Sequence, residues 1–378
     1  MIMQPRLFDG DAPGYLFTEG IKYIGSKSKI IPYILQIAQG LGGSTVFDGF
    51  SGTTRVSQAF AKSGYRVICN DIAPWSEVFG TCYLLSKKPA SEYVDLINHL
   101  NGVVPVDGWF TEHYGGYPNG GCAVQQDGLK KPWQVHNTRK LDAIRQEIEI
   151  LNLPPEDKAV VLSSLILALD RVDNTVGHYV SYLKDWSSRS YDSLVLRVPN
   201  LFESMQDHSV LRCDISEIAS SINADITYLD PPYGSNNEKM PPSRVRYASY
   251  YHVWASVCLF DDPAVFGRAK RRSDSTDSLA SSAFEEFRKS VSGRYIAVEA
   301  IDETLNMIQS QWIILSYSSG GRATAEELRD VIDSNGKLID VVSIDHKKNV
   351  MASMKWTHQW INDCNEFNKE FLFLIEKR

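Results

Sequence analysis

Apolar positions at helical spacing run from Lys27 to Ala38, where Ile30, Ile31, Ile34, Leu35 and Ala38 predict one buried helical face. The next apolar run, Ser44 to Phe47, is too short for a helix and ends on Asp48, which predicts a strand. Val56 to Lys62 predicts a second helix stopped by Gly64, and Tyr65 to Cys69 a second strand ending on Asn70-Asp71. Strand, glycine-rich turn, helix and strand make a βαβ unit, which implies a parallel sheet. From about Trp75 to Leu201 the spacing turns helical: His136 to Leu151 carries Leu141, Ile144, Ile148 and Leu151 on one face, and Pro154-Pro155 open a second helix over Glu156 to Leu169. Strand patterns return at Val210–Arg212 and Ile226–Leu229, then at Trp312–Leu315, Leu338–Ile344 and Phe371–Ile375, with a helix over Thr324–Ser334.

The expected fold class is therefore α/β, a Rossmann-like sheet with helices on both faces plus a mainly helical insertion. Residues 1–20 read as a loose leader. The sheet domain draws on 21–75, 206–233 and 295–378, with the helical insertion at 76–205. Residues 234–294 read as a separate basic, mobile loop region containing the Ser/Asp-rich stretch 273–282.

The 378 residues suit two or three domains at roughly 150 residues each. The 46 acidic residues against 39 basic ones, a net charge of −7, exclude a protein coated in positive charge but leave room for a local basic cleft. The first residues lack the basic-then-apolar pattern of a secretion signal, and the most apolar run, Ala159 to Leu169, is too short to span a bilayer. Six scattered cysteines without CxxC, and histidines without HExxH, give no disulfide framework and no metal site. A cytoplasmic protein with reduced thiols, off the membrane and without a structural metal, is expected.

The most informative motif is Asp230-Pro231-Pro232-Tyr233, directly after the strand ITYL. Two prolines fix two φ angles and remove two N–H donors. Such a loop offers a carboxylate and bare carbonyls to a ligand that donates hydrogen bonds, as an exocyclic amine does. Accepting both amine protons, through Asp230 and the Pro231 carbonyl, would localise the nitrogen lone pair for attack on an activated methyl group. Tyr233 would offer a stacking face. The alternative is a plain surface turn. A second motif, Phe47-Asp48-Gly49-Phe50-Ser51-Gly52-Thr53-Thr54, closes the first strand, where open α/β sheets bind cofactors. It is neither GxGxxG nor a phosphate-binding GK[ST] loop. Asp71, about 20 positions on, is placed either to bind ribose hydroxyls or to cap a helix.

These motifs resemble the Dam-like S-adenosylmethionine-dependent DNA adenine-N6 methyltransferases of alpha motif order. Lys22-Tyr23-Ile24-Gly25-Ser26-Lys27 matches the family's opening motif, FDGFSGTT its cofactor loop, Asp71 its acidic ribose ligand, Cys213-Asp214-Ile215 its adenine-contacting motif, and DPPY its catalytic loop. The family's last glycine in the cofactor loop is replaced here by Thr53 or Thr54. The resemblance implies a methyltransferase that binds S-adenosylmethionine through Tyr23, Gly25, Lys27, Asp48, Phe50, Ser51, Gly52, Thr53, Asp71, Asp214 and Ile215, and acts on a flipped adenine at Asp230, Pro231, Pro232 and Tyr233. It also assigns target recognition to the helical insertion.

Double-stranded DNA is the expected partner, with a cognate restriction endonuclease as a second kind and a monomer as the working form. Residues 234–272 hold seven basic residues against three acidic ones, a local reversal that suits phosphate contact. Lys22, Asn174, Arg244, Arg246, Arg271, Arg272 and Lys347 are the candidate DNA contacts; ordinary solvated or loop residues are the alternative for each. Cytosine carbon-5 methylation is excluded because there is no Pro-Cys nucleophile. Cytosine-N4 methylation, which shares the amine mechanism, and a non-catalytic DNA-binding subunit stay as alternatives. A nicotinamide oxidoreductase leaves the DPPY loop unexplained.

Overall fold

The computed structural model describes residues 16–234, 246–276, 278–280, 282–345, 351–354 and 369–377. Arg244 and Lys347 lie outside the described residues. An eight-stranded sheet forms the frame. Its strands are β1 (Thr45–Asp48), β2 (Arg66–Asn70), β3 (Ser209–Leu211), β4 (Ile226–Leu229), β5 (Trp312–Ser318), β6 (Gly336–Asp345), β7 (Met351–Met354) and β8 (Lys369–Lys377). Across the sheet they lie in the order β7-β6-β8-β5-β4-β1-β2-β3. The block from β5 to β3 is parallel throughout. The remaining edge is antiparallel, because β8 runs back between β5 and β6.

Alternation along the strands sorts side chains onto two faces. Phe47, Ile313, Leu315, Phe371 and Phe373 meet the face covered by α11 (Ile296–Met307) and α12 (Ala325–Asn335). Val46, Ile314, Leu372 and Leu374 meet the opposite face, under α1 (Ile31–Leu41) and α2 (Arg55–Lys62). Helix α12 begins where the pattern places it: Thr324 accepts from the Glu327 N–H and Glu327 reaches back to Thr324, a complete capping box. Strand β7 and helix α11 are additions that the apolar pattern did not suggest.

A third core lies outside the sheet. Helices α3 (Pro74–Gly80), α4 (Val94–Gly102), α5 (Trp109–Tyr114), α6 (Val135–Ile150) and α7 (Pro155–Arg171) enclose Trp133, Tyr114, Ile144 and Leu165. Here α8 (Ile215–Ile218), α9 (Tyr247–Tyr250) and α10 (His252–Leu259) complete the numbering. Helix α10 belongs to this core: Trp254 packs edge-on against Tyr179, with centroids 4.8 Å apart, and lies 6.1 Å from Trp133. Tyr114 and Tyr182 donate to the carbonyls of Lys270 and Ala269. Residues 246–272 are thus docked on the helical segment rather than standing apart as a loop. Ser275 is buried, donating to the Arg272 carbonyl while its own carbonyl accepts from Ser249. The leader is also tied down where it is described: the Arg55 guanidinium donates to the Thr18 and Gly20 carbonyls, and Gln58 brackets Glu19.

Trp133 is the keystone of the helical core, fully buried with its indole N–H donated to the Leu169 carbonyl. Trp133→Ala is expected to cost about 3–5 kcal/mol of stability, read as a fall in the urea midpoint. A loss under about 1 kcal/mol would show that the helical core does not limit stability.

Candidate active site

In this sheet the strand order reverses at β1, so the chain leaves the carboxyl ends of β1 and β4 in opposite directions and opens a crevice between them. A cavity of about 800 Å³ occupies it. One wall is the turn after β1. Asp48 is fully buried, with the Ser57 hydroxyl donating to Oδ2 at 2.6 Å. Gly49 has no room for a Cβ, which would stand 2.7 Å from Ile215 and 2.9 Å from Leu229. Gly52 takes φ +52, and its N–H donates to Asp71 Oδ2 at 2.8 Å. Thr54, the N-cap residue of α2, takes φ +59. It is therefore Thr54, not Thr53, that stands in a left-handed position where glycine is cheaper by about 1–2 kcal/mol. The Gln58 amide holds its hydroxyl.

Asp71 is oriented by two backbone donors, Gly52 and Ala73. It precedes α3 without capping it, since Ala73 is the N-cap residue. Asp214 caps α8 through Ser216 and is exposed at the cavity rim, with buried Ile215 beside it. Phe50 meets Phe284 edge-on at 5.0 Å. Tyr23 stacks on Tyr251 at 4.3 Å and lies 5.4 Å from Tyr247. Gly25 takes φ +80 beside the Tyr247 hydroxyl. Tyr23, Gly25, Lys27, Asp48, Phe50, Ser51, Gly52, Thr53, Asp71, Asp214 and Ile215 all line the one cavity, as do Asp230, Pro231 and Pro232.

The second wall is the loop after β4. Asp230 Oδ1 lies 3.0 Å from Lys27 Nζ, and the Tyr233 hydroxyl donates to the same oxygen. Lys27 also reaches Glu370 Oε1 at 2.9 Å and the Tyr233 oxygen at 2.6 Å. Burial raises Asp230 to about 6, against the lowering pull of Lys27. For Lys27, burial pulls the ammonium down, but Asp230 and Glu370 together hold it above the ordinary lysine value. Glu370 was not flagged by any motif: it is one carboxylate in a strand, and only the register of β8 brings it here.

Several expected roles are corrected. Tyr233 does not line the cavity; its hydroxyl is turned inward onto Lys27, Asp230 and Glu370, because a buried phenol takes the polar partners within reach. The aromatic side chains that line the cavity include Tyr23, Phe50, Trp75, Tyr247 and Phe284. Lys22 is bound to Asp173 at 2.6 Å and lies 3.7 Å from Asp170, so its charge is spent within the fold. Asn174 is fully buried and serves backbone groups of Ser187 and Leu183. Arg246 is buried and donates to the Glu285 carbonyl. Arg272 is buried between Asp261 and Asp274, at 2.6 and 2.7 Å. Arg271 alone of the described candidates is without such a lock, its guanidinium lying over Phe266 at 4.6 Å. Among the described residues, no group of three or more His, Cys, Asp or Glu is placed to hold a metal ion, and no helix is long and apolar enough to cross a membrane.

Comparison with known proteins bears on this geometry. The chain is 29% identical over 344 residues to modification methylase StsI of Streptococcus sanguinis, covering 87% of this chain and 48% of that protein. It is 25% identical over 338 residues to type II methyltransferase M.NlaIII of Neisseria lactamica, covering 87% and 92%. With type II methyltransferase M.FokI of Planomicrobium okeanokoites the identity is 23% over 376 residues, covering 94% and 53%. The chain thus spans about half the length of the StsI and FokI enzymes and nearly all of M.NlaIII. The model of the D12 class N6 adenine-specific DNA methyltransferases matches residues 23–300, a span that includes every cavity-lining motif from Tyr23 to Asp230. By that match the chain belongs to the D12 class N6 adenine-specific DNA methyltransferase family.

Proposed function

We propose that this chain transfers a methyl group from S-adenosylmethionine to the exocyclic N6 amine of an adenine flipped out of double-stranded DNA. The observation that carries the reading is the shared cavity, which holds the first-strand turn and the Asp230-Pro231-Pro232 loop side by side. S-adenosylmethionine is the methyl donor of the family, and bound here it supplies an electrophilic methyl on sulfur. The residues present fit it. Asp48 Oδ1 is buried without a hydrogen-bond partner in a chain where Oδ2 is satisfied, which suits an ammonium such as that of the methionine end. Asp71 keeps free lone pairs for ribose hydroxyls, and Phe50 and Ile215 offer an apolar slot for an adenine ring.

On the target side, Asp230 and the Pro231 carbonyl accept the two amine protons and hold the nitrogen lone pair toward the methyl group. Flipping the base costs a few kcal/mol, which stacking in the pocket offsets. Tyr247 or Tyr23 is the available stacking face, in place of Tyr233. The helical segment 76–205, joined by 246–272, is the proposed target-recognition unit. Activity as a monomer in the cytoplasm, beside a cognate restriction endonuclease, completes the reading.

Two results test it. Methylation-aware sequencing of DNA from a methylation-deficient host expressing the chain is expected to show modified adenine in one short motif, absent with Asp230→Ala. Purified Asp230→Ala is expected to bind S-adenosylmethionine with wild-type affinity. Modified cytosine would keep the mechanism and overturn the base, and normal modification by Asp230→Ala would overturn its role. The second concerns Asp48, which burial raises to about 7 from 3.8. The folded protein holds this proton more tightly than the unfolded chain, so stability from this group falls as pH rises from about 4 to about 7. Asp48→Asn is therefore expected to raise the urea midpoint at pH 8, with the difference closing toward pH 4, and to weaken S-adenosylmethionine binding. Equal midpoints at pH 8 would show that Asp48 carries no buried-charge cost.

A further inference from the structure

Two carboxylates of the buried cluster beside the cavity share one lysine. Lys27 has three N–H donors, and three oxygens stand within 3.0 Å of its nitrogen: Tyr233 Oη at 2.6 Å, Glu370 Oε1 at 2.9 Å and Asp230 Oδ1 at 3.0 Å. Glu370 is almost wholly buried, 137 residues from Tyr233 in sequence. Its Oε1 also accepts from Ser316 on the neighbouring strand, at 2.7 Å, and lies 2.7 Å from the Tyr233 hydroxyl. The register of β8 against β5 sets Glu370 opposite Ser318, so the carboxylate is held by sheet geometry and not by a flexible loop. A second buried carboxylate in such a place weakens the fold unless it does something.

We propose that Glu370 is a positioning residue for Asp230: by sharing the Lys27 ammonium, it keeps the Asp230 carboxylate from being captured by that lysine and leaves it able to accept a hydrogen bond from the substrate amine. The inference rests on the reading of Asp230 as the residue that orients the amine. Lys27 and Tyr233 both engage Oδ1, and Oδ2 has no hydrogen-bond donor among the described residues. With Glu370 neutral, Asp230 becomes the only carboxylate on the ammonium. Its electron density is then drawn to Lys27, and the second oxygen becomes the poorer acceptor.

The groups facing Asp230 come from every element packed against it, and Lys27 and Glu370 act on it in opposite directions. Lys27 comes from the opening motif, Glu370 from β8, Asp48 from the end of β1, Tyr228 from β4, Tyr233 from its own loop and Tyr247 from α9. Among the described residues of that set, Lys27 is the cation. Loss of the Glu370 charge removes a neighbouring anion that raises the Asp230 carboxyl and leaves Lys27, which lowers it, more fully to Asp230. The acid limb of the reaction therefore moves to lower pH while the reaction itself slows.

The test uses the full chain with aspartate labelled with carbon-13 at its carboxyl carbon, the Asp230 resonance being identified by its disappearance in Asp230→Asn. Glu370→Gln keeps the side chain's shape and removes its charge. The Asp230 titration midpoint is expected to fall by about one pH unit, as loss of a neighbouring like charge requires. Single-turnover methyl transfer is expected to slow by about tenfold or more, with S-adenosylmethionine affinity held within about twofold. Ser316→Ala, which loosens Glu370 without removing it, is expected to shift the midpoint in the same direction by less, and carries the test if Glu370→Gln does not fold. An unchanged or raised midpoint overturns the proposal, as does a slowed reaction with cofactor binding lost in proportion. If the wild-type chain methylates no DNA, the reading of the reaction fails, and the carboxyl titration still decides whether Glu370 controls Asp230.

Discussion

The active site depends on one buried ammonium. Lys27 is 7% exposed and joins three segments far apart in sequence: the opening motif, the loop after β4 and the final strand. A charge taken out of water costs several kcal/mol unless partners replace the lost hydration. Here two carboxylates and a phenol do so. The same cost makes the arrangement unforgiving, because removing the lysine would take the shared ammonium from two buried carboxylates at once. The catalytic loop is thereby placed against β8 and the opening motif by electrostatics, and its two prolines keep it from relaxing into another turn.

The opening motif holds more than the catalytic loop. Lys22 is tied to Asp170 and Asp173 at the end of α7. The Ile24 N–H donates to the Tyr251 hydroxyl, and the Ile24 carbonyl accepts from Tyr247. Six consecutive residues thus touch the helical core, the tyrosines of 247–251 and the catalytic loop. Gly25 is at the centre of this strap. Its φ of +80 and the hydroxyl of Tyr247, 3.1 Å from where a Cβ would stand, leave no comfortable place for a larger residue. A base read by the helical unit and a methyl donor bound by the sheet would meet across a short, stiff connection.

What was legible in the sequence was what local patterning encodes. Strand ends at Asp48, Asn70 and Leu229 follow from apolar runs that stop at polar residues. The capping box at Thr324 and Glu327 marks its own helix. Four of the five cavity-lining motifs were legible because each follows a strand that delivers it to the same edge of the sheet; the opening motif, which precedes α1, was legible only by resemblance. Glu370 was not, because nothing near it in sequence says that β8 turns back between β5 and β6. Tyr233 was read as a free ring because a motif names a residue and not its rotamer. Asn174 is a candidate DNA contact by sequence, yet its amide is taken up by the backbone of 183 and 187. Strong local pattern gave position; partner choice among polar side chains is a tertiary property.

The basic residues after the catalytic loop show the same limit in terms of charge. A count of cations treats every arginine as available to phosphate. Arg272 already makes paired contacts to two carboxylates, and pulling it out would expose Asp261 and Asp274 to the approaching DNA as well. Its net offer to a phosphate is repulsive, not attractive. Lys22 is in the same position beside Asp170 and Asp173. Counterion release rewards only cations whose partners in the free protein are salt ions. Cations locked to carboxylates contribute rigidity instead. Arg272 and Lys22 therefore count as parts of the fold, and a tally of basic residues overstates the charge that is free to act outside it.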